Sequence, residues 1–587
     1  MSRNLTDILR AHEDEARPTA LAVLKEAMDE RGEITDEDRR RAAALSGLPE
    51  AAVYGVSTFY DDLVQPRARR HVSVCTGTAC WASDFGAHVK AAGDALGLAP
   101  GERSDDGERS LGATVCLGFC HSAAAVRDGA VVDAGDGSVE RLLAGEAAEA
   151  PEPESGSVLD EPVLLAPGRF DGLRRALAEL TPERLLEEVK AANVRGRGGA
   201  GFPAGTKWEF AARAKDPEKV IVVNGDEGDP GSYIDKLLME RNPELLLEGM
   251  ALAGHAVGAA EGHVLVRSEY PRSMGALRDA VERCRGELGD FTVHVTEGAG
   301  SYVVGEETAL LASLQGFRGT VSARPPFPAK RGYHGKPTVV HNVETLCNIP
   351  FIARNGAEAY KELSPGATPG TKLVCLNDRF ARPGLYEVRF GTPVSEICNE
   401  LGGGLVDGRS IKAVQIGGPL GGILPASKLD TPFDFDELAA EGCMVGHGSI
   451  LAFDARTDAR ALARHLLRFG AHESCGKCFP CRIGLQRAFE MVDRPGDLDR
   501  ERLEALLETL ELGSLCAHGG GMPAPIRSLI AHFPEELGIA AGPEPSDDPF
   551  LRRPEERQED DPGERPAEAP STDEDATEGP SRNGGAS

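Results

Sequence analysis

KVIVVNGDEGDPGSYIDK, residues 219–236, is a β-branched run that breaks into a polar, glycine-rich loop. Its first half reads as a buried strand. Its second half sets Asn224, Asp226, Glu227 and Asp229 at the strand end. An amide and carboxylates there can meet ribose hydroxyls or the edge of a flat ring system; a polar loop whose acids cap the next helix accounts for them as well. Downstream, LLLEGMALAGHAVGA (245–259) reads as a helix and HVLVRSE (263–269) as another strand. Alternating strands and helices predict a sheet covered by helices, here over residues 163–367.

Working outward, the chain divides further. Residues 1–68 read as helical, with apolar positions three and four apart through LAVLKEAM (21–28). HVSVC (71–75) and ATVC (113–116) read as strands ending at cysteines, with a helix between them over 83–98, so 69–144 is a small α/β unit. The Pro-, Glu- and Ala-rich stretch 145–162 reads as a linker. Residues 368–446 hold short strands among glycines and prolines, and 447–540 hold helices. The acidic tail, 541–587, is expected to be disordered.

The net charge of -30 argues against nucleic-acid binding, which needs a basic footprint. No apolar run approaches the roughly 20 residues that cross a bilayer. The first residues lack the apolar segment of a signal peptide, so no membrane insertion and a cytoplasmic location are expected. In that compartment thirteen cysteines read as metal ligands or buried thiols rather than disulfides. Cys284, Cys347, Cys375, Cys398 and Cys443 are scattered and read as ordinary core residues.

The other eight form two groups. ESCGKCFPCRIG (473–484) followed by GSLCAHGG (513–520) spaces Cys475, Cys478 and Cys481 two residues apart, with Cys516 arriving later. Three thiolates in one turn converge on three corners of a [4Fe–4S] cubane and a distant fourth closes it; zinc more often uses two C-x2-C pairs. Cys75/Cys80 and Cys116/Cys120 are two pairs on two loops, a pattern open to [2Fe–2S] or zinc. VRGRGGAGFPAGTKWEF (194–210) contains G-x-G-x-x-G but follows a helical stretch, so a dinucleotide fingerprint is not supported. Its glycines let backbone amides close on a phosphate or flat ring, and Arg195, Arg197 and Lys207 favour an anion. GAGSYVVGEETAL (298–310) opens a helix with Glu306 and Glu307, where acids also serve as caps.

Taken with AVYGVSTFY (52–60) and PPFPAKRGYHGKPTVVHNVETL (325–346), these motifs resemble a fusion of two subunits over about residues 10 to 540. These are the thioredoxin-like [2Fe–2S] subunit and the flavoprotein subunit of the respiratory complex I dehydrogenase module. Fused forms resemble the diaphorase subunits of NAD-dependent formate dehydrogenases and NAD-reducing hydrogenases more than complex I, and so does NGDEGDPG. The resemblance implies a multidomain α/β protein with a thioredoxin-like domain, a Rossmann-like FMN domain, a ubiquitin-like β-grasp module and a four-helix [4Fe–4S] domain. It implies FMN against Gly196, Arg197, Gly198, Lys207, Asn224, Asp226, Tyr302, Gly305, Glu306, Asn342 and Thr345. NADH is implied over the flavin, its adenine between Phe202 and Phe327, with contacts from Phe210, Asp229 and Glu307, the last the principal positioning group for catalysis. His341 replaces the asparagine usual in complex I and is expected to alter polar contacts to the flavin; Arg324 and Asp229 replace lysine and glutamate. The implied partner is a catalytic subunit with further iron–sulfur clusters, a molybdenum or tungsten formate dehydrogenase or a nickel–iron hydrogenase module. Fused complex I and a non-catalytic electron-relay scaffold are the alternatives.

Overall fold

The computed structural model describes residues 17–147, 150–364 and 366–539; the expected disordered tail and the first sixteen residues lie outside these. The first described helices are Ala20–Arg31, Asp36–Ser46 and Glu50–Ser57. Thr19 caps the first, and Thr35 with Asp38 forms a capping box on the second. Leu21, Leu24 and Met28 face inward, into one apolar cluster with Leu310, Leu311 and Leu314 of a later helix. Lys25 Nζ donates to Gly298 O at 2.6 Å. The N-terminal region is therefore packed against the segment that carries Glu306 and Glu307.

A five-stranded sheet follows: β1 (Arg70–Cys75), β2 (Glu102–Arg103), β3 (Arg109–Thr114), β4 (Val126–Asp128) and β5 (Val131–Asp133), in the order β2-β3-β1-β4-β5. β1 and β3 are parallel, so Cys75 and the loop carrying Cys116 emerge at the same end. The helix expected over 83–98 is two helices, Thr78–Asp84 and Ala87–Leu96, broken at Phe85 and Gly86, both at positive φ.

The expected linker 145–162 is structured in part. Glu154–Ser157 forms β6, paired in parallel with β12 (Gly384–Arg389) of the β-rich module described below. Just beyond it, the backbone N–H groups of Val163 and Leu164 donate to the buried carboxylate of Glu387 at 3.1 Å. Composition conceals this because an edge strand needs only backbone groups and tolerates polar side chains.

The next sheet comprises β7 (Val220–Gly225), β8 (Glu261–Val266), β9 (Thr292–Glu297) and β10 (Thr338–Asn342), all parallel in the order β10-β7-β8-β9. Helices including Pro243–Val257 cover it. Nearly every residue of that helix is buried. A Cβ on Gly249 would lie 2.3 Å from Leu346 O, so glycine permits the helix to touch the backbone that follows β10. The carboxyl ends of β7 and β10 carry Asn224 and Asn342, paired in register. In open parallel sheets ligands bind at this edge.

The third sheet has six strands: β6, β11 (Thr371–Leu376), β12 (Gly384–Arg389), β13 (Ala413–Ile416), β14 (Ile423–Pro425) and β15 (Ser449–Phe453). Their order is β14-β13-β15-β11-β12-β6. The expected boundary at 446/447 is therefore wrong: β15 is a central strand of this module and lies beyond it. The turn Gly446–Gly448 belongs to the β-rich module, not to the helical domain. That last domain is built on helices Ala459–His472, Leu485–Asp493, Arg500–Gly513 and Pro523–His532. Among the described residues no helix is long and apolar enough to cross a membrane.

Candidate functional site

The glycine-rich loop is tied to the carboxyl edge of the parallel sheet. Asn342 caps the helix after β10 by accepting from Thr345 N at 3.2 Å, and its Nδ2 donates to Asp235 at 2.6 Å. Thr345 Oγ1 accepts from Arg197 N at 2.8 Å. A Cβ on Gly198 would stand 2.8 Å from Asn342 Cβ. On Gly199 it would meet nothing within 4 Å, so the loop opens on free space there. Across the edge, Asn224 Nδ2 donates to Gly305 O at 2.7 Å. Gly196, Gly198, Asn224, Gly305, Asn342 and Thr345, separated along the chain, thus meet at one sheet edge.

The cations divide differently from expectation. The Arg197 guanidinium is fully buried, donates to Arg195 O and Tyr360 Oη, and lies 4.6 Å over the Phe390 ring. Arg195 sits 3.8 Å over Phe435. Both side chains join the parallel-sheet domain to the β-rich module, so neither guanidinium is free for an anion, and the Arg197 N–H is already given to Thr345. Lys207 remains: its Nζ lies 3.1 Å from Glu307 and 3.2 Å from Val340 O. Arg324 meets the other Glu307 oxygen at 2.7 Å. The Glu307 carboxylate is thus held between two cations. Glu306 caps its helix, accepting from Thr308 N at 2.8 Å and Ala309 N at 3.1 Å. Its other oxygen is buried without a hydrogen bond among the described residues.

On the acidic loop, Asp226 lies 3.6 Å from Arg267 Nε. Burial pushes its carboxyl up to about 8 against the pull of that guanidinium. Burial also lifts Asp229. Tyr302 N donates to Glu473 at 3.0 Å, and its ring meets Phe469 edge-on at 4.9 Å, linking the site to the helical domain. Phe202, Phe210 and Phe327 stay 44%, 54% and 58% exposed, open to a planar ligand. His341 points elsewhere than expected: its Nε2 accepts from Trp208 Nε1 at 2.7 Å, and burial holds the ring down at about 3. It supports the core rather than the ligand edge. Arg267, Asp235 and His447 escaped the sequence reading; RSE at the end of HVLVRSE was the available signal for Arg267.

The cysteine groups are both convergent. Cys75, Cys80, Cys116 and Cys120 are buried free thiols, with 3.6 Å between the last two sulfurs. Backbone N–H groups of Gly118, Ala125 and Gly231 point at Cys116, Cys80 and Cys120 at 3.4, 3.5 and 3.3 Å. N–H···S donation to a sulfur-rich pocket suits an iron–sulfur cluster. Cys475 and Cys481 are buried, and Cys478 and Cys516 half-buried. The Ser474 hydroxyl lies 3.2 Å from Cys481 Sγ, and a Cβ on Gly519 would lie 2.8 Å from Cys481 Cβ, so glycine leaves the fourth segment close to the group.

Comparison with known proteins agrees with this geometry. Three family models match: the thioredoxin-like [2Fe-2S] ferredoxin over residues 5–144, the Nuo51 FMN-binding domain over 189–351, and the NADH-ubiquinone oxidoreductase-F iron-sulfur binding region over 461–539. The second NADH-quinone oxidoreductase F subunit of Rhizobium meliloti is 40% identical over 389 residues, 63% of this chain and 92% of that protein. The chain belongs to the NADH-quinone oxidoreductase F family. The Escherichia coli F protein is 41% identical over 63% of this chain and 86% of its own length. The HndC protein of the NADP-reducing hydrogenase of Solidesulfovibrio fructosivorans is 41% identical over 62% and 78%. A chain of the NAD+-reducing [NiFe]-hydrogenase in the H2-reduced state superposes with a TM-score of 0.80 at 32% identity, covering 89% of this chain and 93% of that one. This member of the F family is an NADH dehydrogenase-type flavoprotein, with FMN, NAD(H), one [2Fe–2S] and one [4Fe–4S] cluster as its cofactors. The predicted fold class holds, with thioredoxin-like, FMN-binding and iron–sulfur domains in that order.

The Gly198 contact yields a test. Gly198→Ala must displace Asn342, which breaks its hydrogen bonds to Asp235 and Thr345; two such bonds amount to about 1–3 kcal/mol. FMN affinity is expected to fall about 10- to 100-fold with iron content unchanged. Titration of deflavinated protein with FMN measures it.

Proposed function

We propose that this chain is the NAD(H)-exchanging component of an assembly in which another polypeptide oxidises hydrogen or formate. Supporting this is the extent of the match to the hydrogenase chain, which spans the fused thioredoxin-like part as well as the flavoprotein part; the Rhizobium meliloti and HndC relatives cover 62–63% of this chain. Formate is kept beside hydrogen because NGDEGDPG, residues 224–231, resembles the form shared by the formate dehydrogenase and hydrogenase diaphorases. A cytoplasmic location accords with this reading.

In this proposal Gly196, Arg197 (through its backbone), Gly198, Lys207, Asn224, Asp226, Tyr302, Gly305, Glu306, Asn342 and Thr345 hold FMN. Phe202 and Phe327 flank the adenine of NADH, Phe210 and Glu307 also contact the dinucleotide, and Asp229 lies on its nicotinamide side. Cys75, Cys80, Cys116 and Cys120 hold [2Fe–2S], and Cys475, Cys478, Cys481 and Cys516 hold [4Fe–4S]. Bound flavin supplies exchange between a two-electron hydride donor and one-electron carriers. The protein's own work is positional. Glu307 is braced by Lys207 and Arg324, which orients its carboxylate toward a ligand. Asp226 presents a buried carboxyl whose affinity for a proton is raised. No side chain is required as nucleophile or general base.

Anaerobic affinity purification from the native host tests the assembly. Co-purification of a nickel–iron or a molybdenum or tungsten subunit, with NAD reduction by hydrogen or by formate, is the expected result. Recovery of membrane subunits with quinone reduction would place the chain in complex I and overturn the proposal.

A further inference from the structure

The β-rich module reaches into the acidic loop that follows β7. His447, in the turn before β15, is buried, with Nε2 3.0 Å from Asp235 Oδ2 and 3.5 Å from Glu227 Oε1. Its Nδ1 lies 3.8 Å from Asp229 Oδ2. Three carboxylates therefore converge on one imidazole. Asp235 Oδ2 is the same oxygen that accepts from Asn342 Nδ2. Two neighbouring glycines close the contact. Gly446 bridges Gly199 of the glycine-rich loop. Gly418, at φ +91, packs so tightly that a Cβ would lie 2.7 Å from Asp229 Oδ2.

The other groups around the ring are already committed. Glu227 accepts from Ser232 Oγ, Asp235 N and Lys236 N. Lys372 of β11 donates to His447 O at 2.9 Å, but its charge is paired with Glu344 of the helix after β10. Arg267 also acts on Asp229, but its guanidinium donates to Glu227 O and Glu269, so the cation lying between Asp229 and Asp235 is the imidazole. Uncompensated, carboxylates this close repel and drive one another to protonate or separate.

We propose that His447 is a positioning residue for the nicotinamide side of the pocket: an imidazolium delivered by the β-rich module that fixes the Asp229 carboxylate. It rests on the assignment of Asp229 to NADH made above. The charge state agrees. Burial pulls the His447 ring down, but Asp235, then Glu227 and Asp229, reverse this and lift it to about 9. The β-rich module is thus part of the nucleotide site and not a spacer between the flavin and cluster domains.

The test uses the oxidised holoenzyme and calorimetric binding of two ligands, NAD+ and ADP-ribose, the second lacking nicotinamide. His447→Gln is expected to weaken NAD+ about tenfold, to leave ADP-ribose within about twofold, and to retain FMN and iron. In an Asp229→Asn background it is expected to add no further loss, because it acts through that carboxylate. Equal weakening of both ligands, unchanged NAD+ affinity, or full additivity with Asp229→Asn would each overturn the proposal. Should His447→Gln shed FMN, Gly418→Ala decides: it displaces Asp229 from the other side with His447 intact, and the same NAD+-selective loss is expected. Failure of Asp229→Asn itself to weaken NAD+ removes the parent assignment, a result distinguishable from failure of His447 alone.

Discussion

Cys478→Ser is expected to abolish electron delivery to the partner polypeptide, by about a hundredfold or more, while NADH-driven ferricyanide reduction survives within about threefold. Cys478 is the middle of three cysteines in one turn and is half-buried. Its surroundings are the most open apolar surface of the helical domain: Phe479 is 76% and Leu512 79% exposed. A serine oxygen is a harder and poorer ligand for cluster iron than a thiolate, and a cubane that loses one corner is labile. The flavin edge, by contrast, is built from the parallel sheet and the β-rich module, whose hydrogen bonds do not involve Cys478. Iron content should fall by the four irons of the cubane, with FMN and the [2Fe–2S] signal retained. Electron paramagnetic resonance of the reduced protein, beside an iron-to-flavin ratio, checks this. Equal loss of both activities in protein that still holds FMN would sink it.

Lys372→Met is expected to be the most destabilising single change in the interface between the parallel-sheet domain and the β-rich module. Lys372 and Glu344 form an ion pair with neither side chain exposed. The ammonium also donates to Leu373 O and His447 O, each at 2.9 Å, while Glu344 accepts from Leu373 N at 2.9 Å. Removing the cation strands a carboxylate and leaves two carbonyls short of a donor. Breaking a buried pair in this way costs about 3–5 kcal/mol, a large share of the 5–15 kcal/mol that holds a typical domain, roughly. Glu344 follows Asn342 by two residues, so FMN should be released along with stability. Urea unfolding followed by flavin fluorescence measures both. The double variant Lys372→Met with Glu344→Gln is expected to recover much of the loss, because no buried charge is then left alone. A shift below about 1 kcal/mol in the single variant would refute the account.

Much of this molecule was legible in local sequence. Cysteine spacing announced both sulfur-rich sites, since a thiolate at the right interval is itself the ligand. The β-branched run before Asn224 announced the central strand, and Gly198 and Gly199 announced a loop that must approach something closely. Where the reading failed, the information was not local. β6 hid in a stretch rich in proline and glutamate because its pairing with β12 uses backbone groups. β15 was cut off at residue 446 because nothing in its own residues says which sheet it joins. Arg195 and Arg197 looked like anion ligands because sequence shows their charge but not Phe435 and Phe390, onto which they fold.

By itself the sequence determined the order of the domains, the two sets of cysteines and the residue types available at the ligand edge. Only the tertiary structure decided which of those residues meet. Asn224 and Asn342 become neighbours through the register of two parallel strands. Lys207 and Arg324 converge on Glu307, and His447 arrives among Glu227, Asp229 and Asp235 from another module. The physical reason is that burial and electrostatics act through space: a charge's partner and exposure are set by what the fold brings beside it, and spacing along the chain carries little of that.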